Sequence, residues 1–189
     1  MINRKNLLSV IILSLTFSAG ACKTTEFGFK VIDISGMVYD FSNRPVNNYE
    51  IALGRKYKSS TDINGRFTLS KVPVGNYKIT GYKNGFENYI DEIIIKDRGQ
   101  IIYIRIPSQN QLLNIVDEAL MANNFALAEE TSERAYQIDK NNIEMLFYCA
   151  TVAFRQHDYK KAISFLESAK SLGSKDLYID KFITVLKEL

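Results

Sequence analysis

The sequence predicts two folded parts, an antiparallel β-sandwich followed by a short solenoid of α-helices. Apolar residues alternate with period two between residues 31 and 106, and similar residues recur at one constant spacing in the C-terminal part. The first 21 residues have the order of a secretory signal peptide. The predicted divisions are a signal peptide (1–21), a tether (22–30), a sandwich (31–106) and two helical repeats with a final helix (109–189).

The N-terminus combines a cationic start, a short apolar run and small residues. Arg4 and Lys5 precede the apolar residues 7–17, a run much shorter than the roughly 20 residues of a membrane-spanning helix. Ser18-Ala19-Gly20-Ala21 then leads to Cys22. This order predicts a segment that is removed on export.

The residues around Cys22 resemble the lipobox of bacterial lipoproteins. The motif is Ala19-Gly20-Ala21-Cys22, with Ala19 where the family usually has Leu. The resemblance implies cleavage before Cys22, a diacylglyceryl group on its thiol and an acyl chain on its new amino group. Each acyl chain contributes about 0.8 kcal/mol per buried CH₂, so several would hold the protein on a bilayer. An ordinary signal peptide that ends near a cysteine is the alternative.

The other cysteine, Cys149, has no disulfide partner if Cys22 carries lipid. It lies among apolar residues, so we expect a small buried side chain rather than a reactive thiol.

Net charge argues against nucleic acid as a partner. The chain carries +3, and loss of residues 1–21 lowers this to +1, far from the basic footprint of nucleic-acid binders. Residues 30–106 hold 12 Lys and Arg against 8 Asp and Glu, whereas residues 107–189 hold 9 against 12. The split from +4 to −3 predicts two units with different surfaces.

Alternation and turns together predict about seven short strands. Tyr49, Ile51 and Leu53 alternate with polar or small residues, as do Phe67 and Leu69. Turn signals recur at short intervals, at Asn43-Arg44-Pro45, Asn64-Gly65, Pro73-Val74-Gly75, Asn84-Gly85 and Arg98-Gly99. Many short strands separated in this way are typical of a sandwich.

The stretch TDINGRF, residues 61–67, raises the question of a calcium loop. Asp62 and Asn64 have the spacing of the first calcium ligands, but the twelfth position, which should be acidic, is Pro73. Asn64-Gly65 between alternating segments instead predicts a type I′ hairpin turn. We expect a structural turn and no metal.

The β segment resembles the carboxypeptidase regulatory-like domains, which are transthyretin-like and Ig-like sandwiches, with the related PEGA-type modules sharing its last part. The matching motifs are ISGMVYDFSNRPVNNYEIAL, TDINGRFTL and VPVGNYKITGYKNGF, within about residues 32–106. The resemblance implies a non-catalytic accessory or adhesive spacer.

After Pro107 the apolar period becomes helical, and five pairs of similar residues stand 34 positions apart. They are Leu112 and Leu146, Ala119 and Ala153, Phe125 and Tyr159, Ala128 and Ala162, and Ala135 and Ala169. The alanines would let two helices approach closely, with Leu127, Phe165 and Leu166 filling the space around them.

This pattern resembles the tetratricopeptide repeat, giving repeats at 109–142 and 143–176 and a last helix that caps the open end. The closing proline is replaced by Lys140 and Ser174, and a generic helical bundle is the alternative. The family binds peptides or proteins on the face lined by the first helix of each repeat. The positions exposed there by helical phase are Asn114, Asp117, Met121, Tyr148, Thr151 and Arg155.

The sequence offers little for catalysis. The single histidine, His157, lies in a polar turn, and one histidine with one cysteine cannot assemble a metal site. The pairs Asp91-Glu92 and Glu129-Glu130 are sequence neighbours whose side chains diverge. We therefore expect no enzyme activity, no cofactor and no metal.

The leading hypothesis is a cell-envelope lipoprotein that binds or scaffolds a protein partner. Lys23 after the cysteine, rather than Asp, favours the outer membrane under the enteric sorting rule. The alternative is binding of glycan or peptidoglycan by the sandwich, through Tyr39, Tyr57, Tyr82 and Tyr89. Arg55, Lys56 and Lys58 could contact an anionic polymer or a lipid headgroup, or simply protect a strand edge.

Overall fold

A computed structural model describes residues 30–97, 99–174 and 178–189, so the predicted signal peptide, Cys22 and most of the tether lie outside it. These residues form seven strands followed by five helices, and the number of strands is the one expected. The strands are β1 (Val31–Tyr39), β2 (Glu50–Leu53), β3 (Tyr57–Ser60), β4 (Arg66–Pro73), β5 (Gly75–Tyr82), β6 (Tyr89–Ile95) and β7 (Ile101–Arg105). The helices are α1 (Gln109–Met121), α2 (Phe125–Ile138), α3 (Ile143–Arg155), α4 (Tyr159–Ser171) and α5 (Tyr178–Glu188).

The strands form two sheets, in the orders β4-β1-β7 and β3-β2-β5-β6. Pairing within them is antiparallel except between β1 and β7, which run in parallel. A parallel pair requires a long crossover connection, and the five intervening strands provide it here. The expected antiparallel sandwich therefore contains one parallel pair, formed by its first and last strands.

A single apolar core lies between the sheets, and Tyr49 is the largest fully buried side chain in the described residues. Its hydroxyl donates to the Glu87 carbonyl oxygen at 3.2 Å, which satisfies the one polar group that the ring brings into the core. Gly81 faces the ring, and a Cβ atom there would lie 2.3 Å from a Tyr49 carbon. This position therefore needs glycine because of close packing.

The TDINGRF segment turns, but not as the type I′ hairpin that the sequence predicted. That turn needs positive φ at both central residues, whereas here Gly65 has φ 72° and Asn64 does not have positive φ. The Asp62 carboxylate instead accepts from the backbone N–H groups of Asn64 and Arg66, each at 2.8 Å. The turn carries the chain from β3 in one sheet to β4 in the other.

The helices form two hairpin pairs, α1 with α2 and α3 with α4, and each landmark of the first pair recurs in the second at one constant spacing. This spacing is kept by the helix starts, by the N-caps Asn124 and Asp158, and by the positive-φ residues Asn123 and His157. The predicted alanines at the helix contacts are all buried, as are Leu112, Leu146 and Leu166. Leu127 is 40% exposed, so its prediction as a core residue was wrong.

The sandwich and the helices are joined by direct contacts as well as by the chain. Ser108 and Gln111 form a capping box at the start of α1, and the Gln109 backbone N–H donates to the Gly85 carbonyl. Arg134 on α2 makes a two-pronged ion pair with Glu87, with N–O distances of 2.7 and 2.8 Å. Charge-assisted pairs of this geometry fix orientation as well as adding energy.

Within the described parts of the chain, no helix combines the length and apolar composition needed to cross a bilayer.

Candidate functional site

A depression of about 210 Å³ opens between α3, α4 and α5. Ala150 and Leu166 are almost completely buried beneath it, and the rest of its lining is mostly aromatic. The residues that line it are Phe147, Ala150, Thr151, Leu166, Tyr178, Ile179 and Phe182.

Helical spacing accounts for this wall of aromatic rings. Phe147 and Thr151 are four positions apart on α3, and Tyr178 and Phe182 are four apart on α5, so each pair shares one helix face. Phe182 packs edge-on against Phe154, with ring centroids 5.4 Å apart. A small alanine between large rings leaves the space that forms the depression.

Two of the sequence-predicted partner residues, Tyr148 and Asp117, bind each other across α3 and α1. The Tyr148 hydroxyl donates to an Asp117 carboxylate oxygen at 3.0 Å, which links α3 to α1. Partial burial, together with that carboxylate, raises the pKa of Tyr148. A carboxylate has further lone pairs, so Asp117 keeps the capacity to accept from a ligand.

The other four predicted residues are exposed and spread along the same helices. Arg155 donates to the Asn123 side chain and lies over the Phe125 ring, which turns it toward the α1–α2 loop. Asn114 and Met121 lie on α1, and Met121 is 84% exposed. Of the six predicted residues, only Thr151 lines the depression.

Sequence reasoning missed the aromatic residues that line the depression. The last helix was predicted only as a cap for the open end of the repeats, and Phe147, Tyr178 and Phe182 were not singled out for binding. The available signal was the i, i+4 spacing of Tyr178 and Phe182, which places two rings on one face of α5.

Groups that could take part in catalysis are mostly engaged in structural contacts. Glu129 accepts from Lys161 at 2.7 Å and Gln156 at 2.9 Å, and these bonds lower its pKa. Asp91 accepts from the Tyr89 hydroxyl and the Glu92 backbone N–H.

The remaining reactive side chains have surroundings that are typical of structural residues. Burial raises the pKa of the Cys149 thiol to about 12, which confirms the prediction of a small buried side chain. His157 is exposed, with its Nδ1 3.0 Å from the Tyr159 hydroxyl. Among the residues that the structure describes, no group of three or more His, Cys, Asp or Glu side chains is arranged to hold a metal ion.

The four tyrosines proposed for glycan binding do not form one flat array. Tyr39 lies in the three-stranded sheet, and Tyr57 packs edge-on against Tyr77. Tyr82 and Tyr89 both line a broad open depression of about 660 Å³ on the outer face of the four-stranded sheet. In the basic segment, Lys58 reaches this depression, whereas Lys56 lies over the Tyr57 ring.

Comparison with known proteins identifies one family, over well under half of the chain. The model of the carboxypeptidase regulatory-like domain matches residues 33–102. No curated protein matches.

The solved structures that resemble this chain share little sequence with it. One is a type II cohesin–X-dockerin complex from Acetivibrio cellulolyticus, at 16% identity and TM-score 0.33, covering 44% of this chain and 71% of that chain. Another is BcpA, the major pilin subunit of Bacillus cereus, at 14% identity and TM-score 0.35, covering 41% and 28%. A third is the 3-chlorocatechol 1,2-dioxygenase of Rhodococcus opacus 1CP, at 13% identity and TM-score 0.33, covering 42% and 60%. The family match is the firmer finding: residues 33–102 form a carboxypeptidase regulatory-like domain.

Proposed function

We propose that this protein is a lipid-anchored envelope module that binds a peptide segment of a partner protein in a groove across α1, α3 and α5. In this proposal α1 to α4 are two tetratricopeptide repeats, and α5 is the first helix of an incomplete third. Helix starts, caps and buried alanines of α1 to α4 all keep one constant spacing. That spacing supports the assignment, because it equals the tetratricopeptide period of about 34 residues.

The observation that carries the proposal is the aromatic depression between α3 and α5. Its volume of about 210 Å³ suits one large apolar side chain, which Phe147 and Phe182 would hold between them. Binding energy at protein interfaces concentrates in a few such anchors placed in pockets.

The charge around the groove indicates what should flank the anchor. Asp117 and the exposed Glu144 lie on the helices that form the groove, and residues 107–189 carry a net charge of −3. A partner with an apolar anchor and a nearby Lys or Arg would complement both features. The partner is therefore expected to present a basic, amphipathic peptide.

A selection experiment tests the groove directly. The full chain, purified in detergent, is used to select binders from a displayed library of random peptides. Selected peptides should share a large apolar residue with a neighbouring Lys or Arg. In Thr151→Arg, a bulky cation blocks the depression, and we expect at least about tenfold weaker binding.

Thr184→Arg is the matched control. Thr151 and Thr184 are both exposed, and each hydroxyl donates to the carbonyl four positions earlier in its helix, but Thr184 does not line the depression. Equal weakening in both variants, or no selected peptide, would exclude the groove as the binding site. Asp117→Asn should weaken basic peptides selectively, because it removes charge while leaving an acceptor for Tyr148.

The anchor is proposed at Cys22, with the outer membrane as the favoured location. Growth with an alkyne-bearing palmitate should label the wild-type chain, and Cys22→Ser should abolish both labelling and membrane association. Labelling that persists in Cys22→Ser would reject the anchor without affecting the groove.

We further propose that the protein is not an enzyme. The engagement of Glu129 and Asp91 in structural hydrogen bonds supports this, as does the raised pKa of Cys149.

A further inference from the structure

A broad concavity of about 660 Å³ lies on the sandwich, far from the helical groove in sequence, and the proposed function does not use it. Strand register sets its floor and walls. Ala52 on β2 stands beside Thr80 on β5 and Lys58 on β3, and the next outward row holds Glu50, flanked by Ser60 and Tyr82. The small side chains of Ala52 and Thr80 form a floor between longer neighbours. We call this depression the outer trough.

A ligand in the trough would find side-chain groups to bind, because the backbone hydrogen-bonding groups of its floor are already paired. β2 pairs with β3 and β5, and β5 pairs with β2 and β6, so their backbone ladders are occupied on both sides. Extended peptides that add to a sheet need a free strand edge, which the floor of the trough lacks. Its ligand must therefore be recognised by hydroxyl, amide, charged and aromatic side chains.

These side chains are available for binding. Within the part of the chain that the structure describes, the side chains of Glu50, Lys58, Thr80 and Tyr82 make no hydrogen bond or ion pair with the protein. Tyr82 is 54% exposed and Ile90, at the β6 side, is 64% exposed. The trough thus combines unpaired polar groups with an accessible ring and an apolar wall.

The charges exclude some classes of ligand. The charged residues that line the trough are one acid, Glu50, and one base, Lys58, on the adjacent strands β2 and β3, so its lining has no net charge to attract a polyanion or an anionic membrane. Its volume of about 660 Å³ and concave form suit a small ligand, since such sites span about 300–1,000 Å³. A neutral ligand with many hydroxyl groups and apolar C–H faces matches these features.

We propose that the outer trough binds a saccharide chain, with one sugar ring stacked on Tyr82 over the Ala52–Thr80 floor. Sugar hydroxyls at the ring edges would bond Glu50, Lys58 and Asn88, the last of which also lines the trough. This function is independent of the peptide groove, so the protein would hold a glycan and a protein partner on different parts of the chain.

Two probes distinguish the sources of such a saccharide. The full chain in detergent is titrated by calorimetry with chitotetraose, which carries the N-acetyl groups of cell-wall sugars, and with maltoheptaose, a plain glucan. Binding of either with a Kd below about 1 mM supports the proposal, and the preferred probe identifies the sugar type. If neither binds, the proposal is overturned.

Matched tyrosine variants localise the binding. Tyr82→Ala should weaken it at least about tenfold, because the stacking surface is lost. Tyr103→Ala is the control, since Tyr103 is 65% exposed on the other sheet. Equal affinities of the two variants would overturn the proposal.

A second variant guards against indirect effects. Ala52→Leu fills the floor while the Tyr82 ring is kept, and should also weaken binding while the thermal unfolding midpoint stays close to that of the wild type. Thr151→Arg should leave saccharide binding unchanged, which separates this test from that of the helical groove. Unchanged affinity in Ala52→Leu would contradict the trough as the site.

Discussion

The sandwich and the helical part bury their apolar side chains in different ways. The sandwich has one continuous core of 15 buried residues, drawn from every strand except β3 and from the loops beside β2 and β7. The helical part has three smaller clusters, whose buried residues number seven, five and four and include many alanines. A change in the single core should therefore affect the whole sandwich, whereas a change in one helical cluster should act mainly on neighbouring helices.

The two parts also differ in charge, but the ion pair at their junction does not follow this difference. Residues 30–106 are net positive and residues 107–189 net negative, yet the junction pair reverses the pattern. The acid Glu87 comes from the basic part, and the base Arg134 comes from the acidic part. The pair is therefore a specific contact rather than a consequence of overall charge.

The largest expected loss of stability comes from truncating a side chain in the sandwich core. Tyr49→Ala removes a fully buried ring and its hydrogen bond to Glu87, so we expect a loss of about 3–5 kcal/mol in the free energy of unfolding. Urea denaturation measures the loss. Tyr103→Ala, which removes a largely exposed ring, should change stability by no more than about 0.5 kcal/mol. Equal losses would contradict the single-core description.

A smaller effect is expected from overpacking one helical cluster. Ala128 is completely buried between α2 and its neighbours, so Ala128→Leu should cost about 1–3 kcal/mol. Hydrogen–deuterium exchange should rise in α1 to α3 while the strands of the sandwich stay protected. Leu127→Ala, at a position that is 40% exposed, is the neighbouring control and should change little. Increased exchange throughout the sandwich would show that the two cores are not independent.

Removing the Glu87–Arg134 ion pair at the junction should have a smaller effect on stability. In a double-mutant cycle, Glu87→Ala and Arg134→Ala should show a coupling energy of about 1 kcal/mol. The pair has two-pronged geometry, but its side chains are 24% and 37% exposed, so solvent screens part of the attraction. In these variants the unfolding transitions of the helices and of the sandwich should also lie further apart. A coupling energy near zero would mean that the capping box and the backbone hydrogen bonds at Ser108 and Gln109 are enough to hold the two parts together.

The smallest effect at neutral pH concerns Cys149. Its pKa is raised by burial to about 12 in the folded protein, above the ordinary value of 9.0, so the thiol is protonated in both states at pH 7. Above pH 9 the unfolded thiol loses its proton while the folded one keeps it, so stability falls as pH rises from about 9 toward 12. Urea midpoints of the wild type should fall more steeply with pH in this window than those of Cys149→Ala. Parallel slopes would contradict the burial of the thiol.

Local patterns predicted the elements well, because each reports which face of a segment is buried. Alternation at Tyr49, Ile51 and Leu53 correctly predicted three inward side chains on one face. The constant spacing of similar residues correctly predicted the buried alanines of the helices. Leu127 was misassigned because it lies at the border of the apolar face of α2, where helical phase alone does not determine burial.

Such local patterns could not predict which strands pair or which distant segments come together. Residues 61–67 were recognised as a turn, but their passage between two sheets depends on which strands pair, and that is a long-range property. The same holds for the parallel contact of β1 and β7.

By itself the sequence determined the order of strands and helices, the two-part organisation, the matched domain at residues 33–102 and the uneven distribution of charge. Only the tertiary structure decided that Phe147 and Phe182 meet at one depression and that Ala52, Thr80 and Tyr82 meet at another. Periodicity records local burial along one segment. A binding surface is made by side chains from separate segments, whose meeting depends on strand register and helix packing.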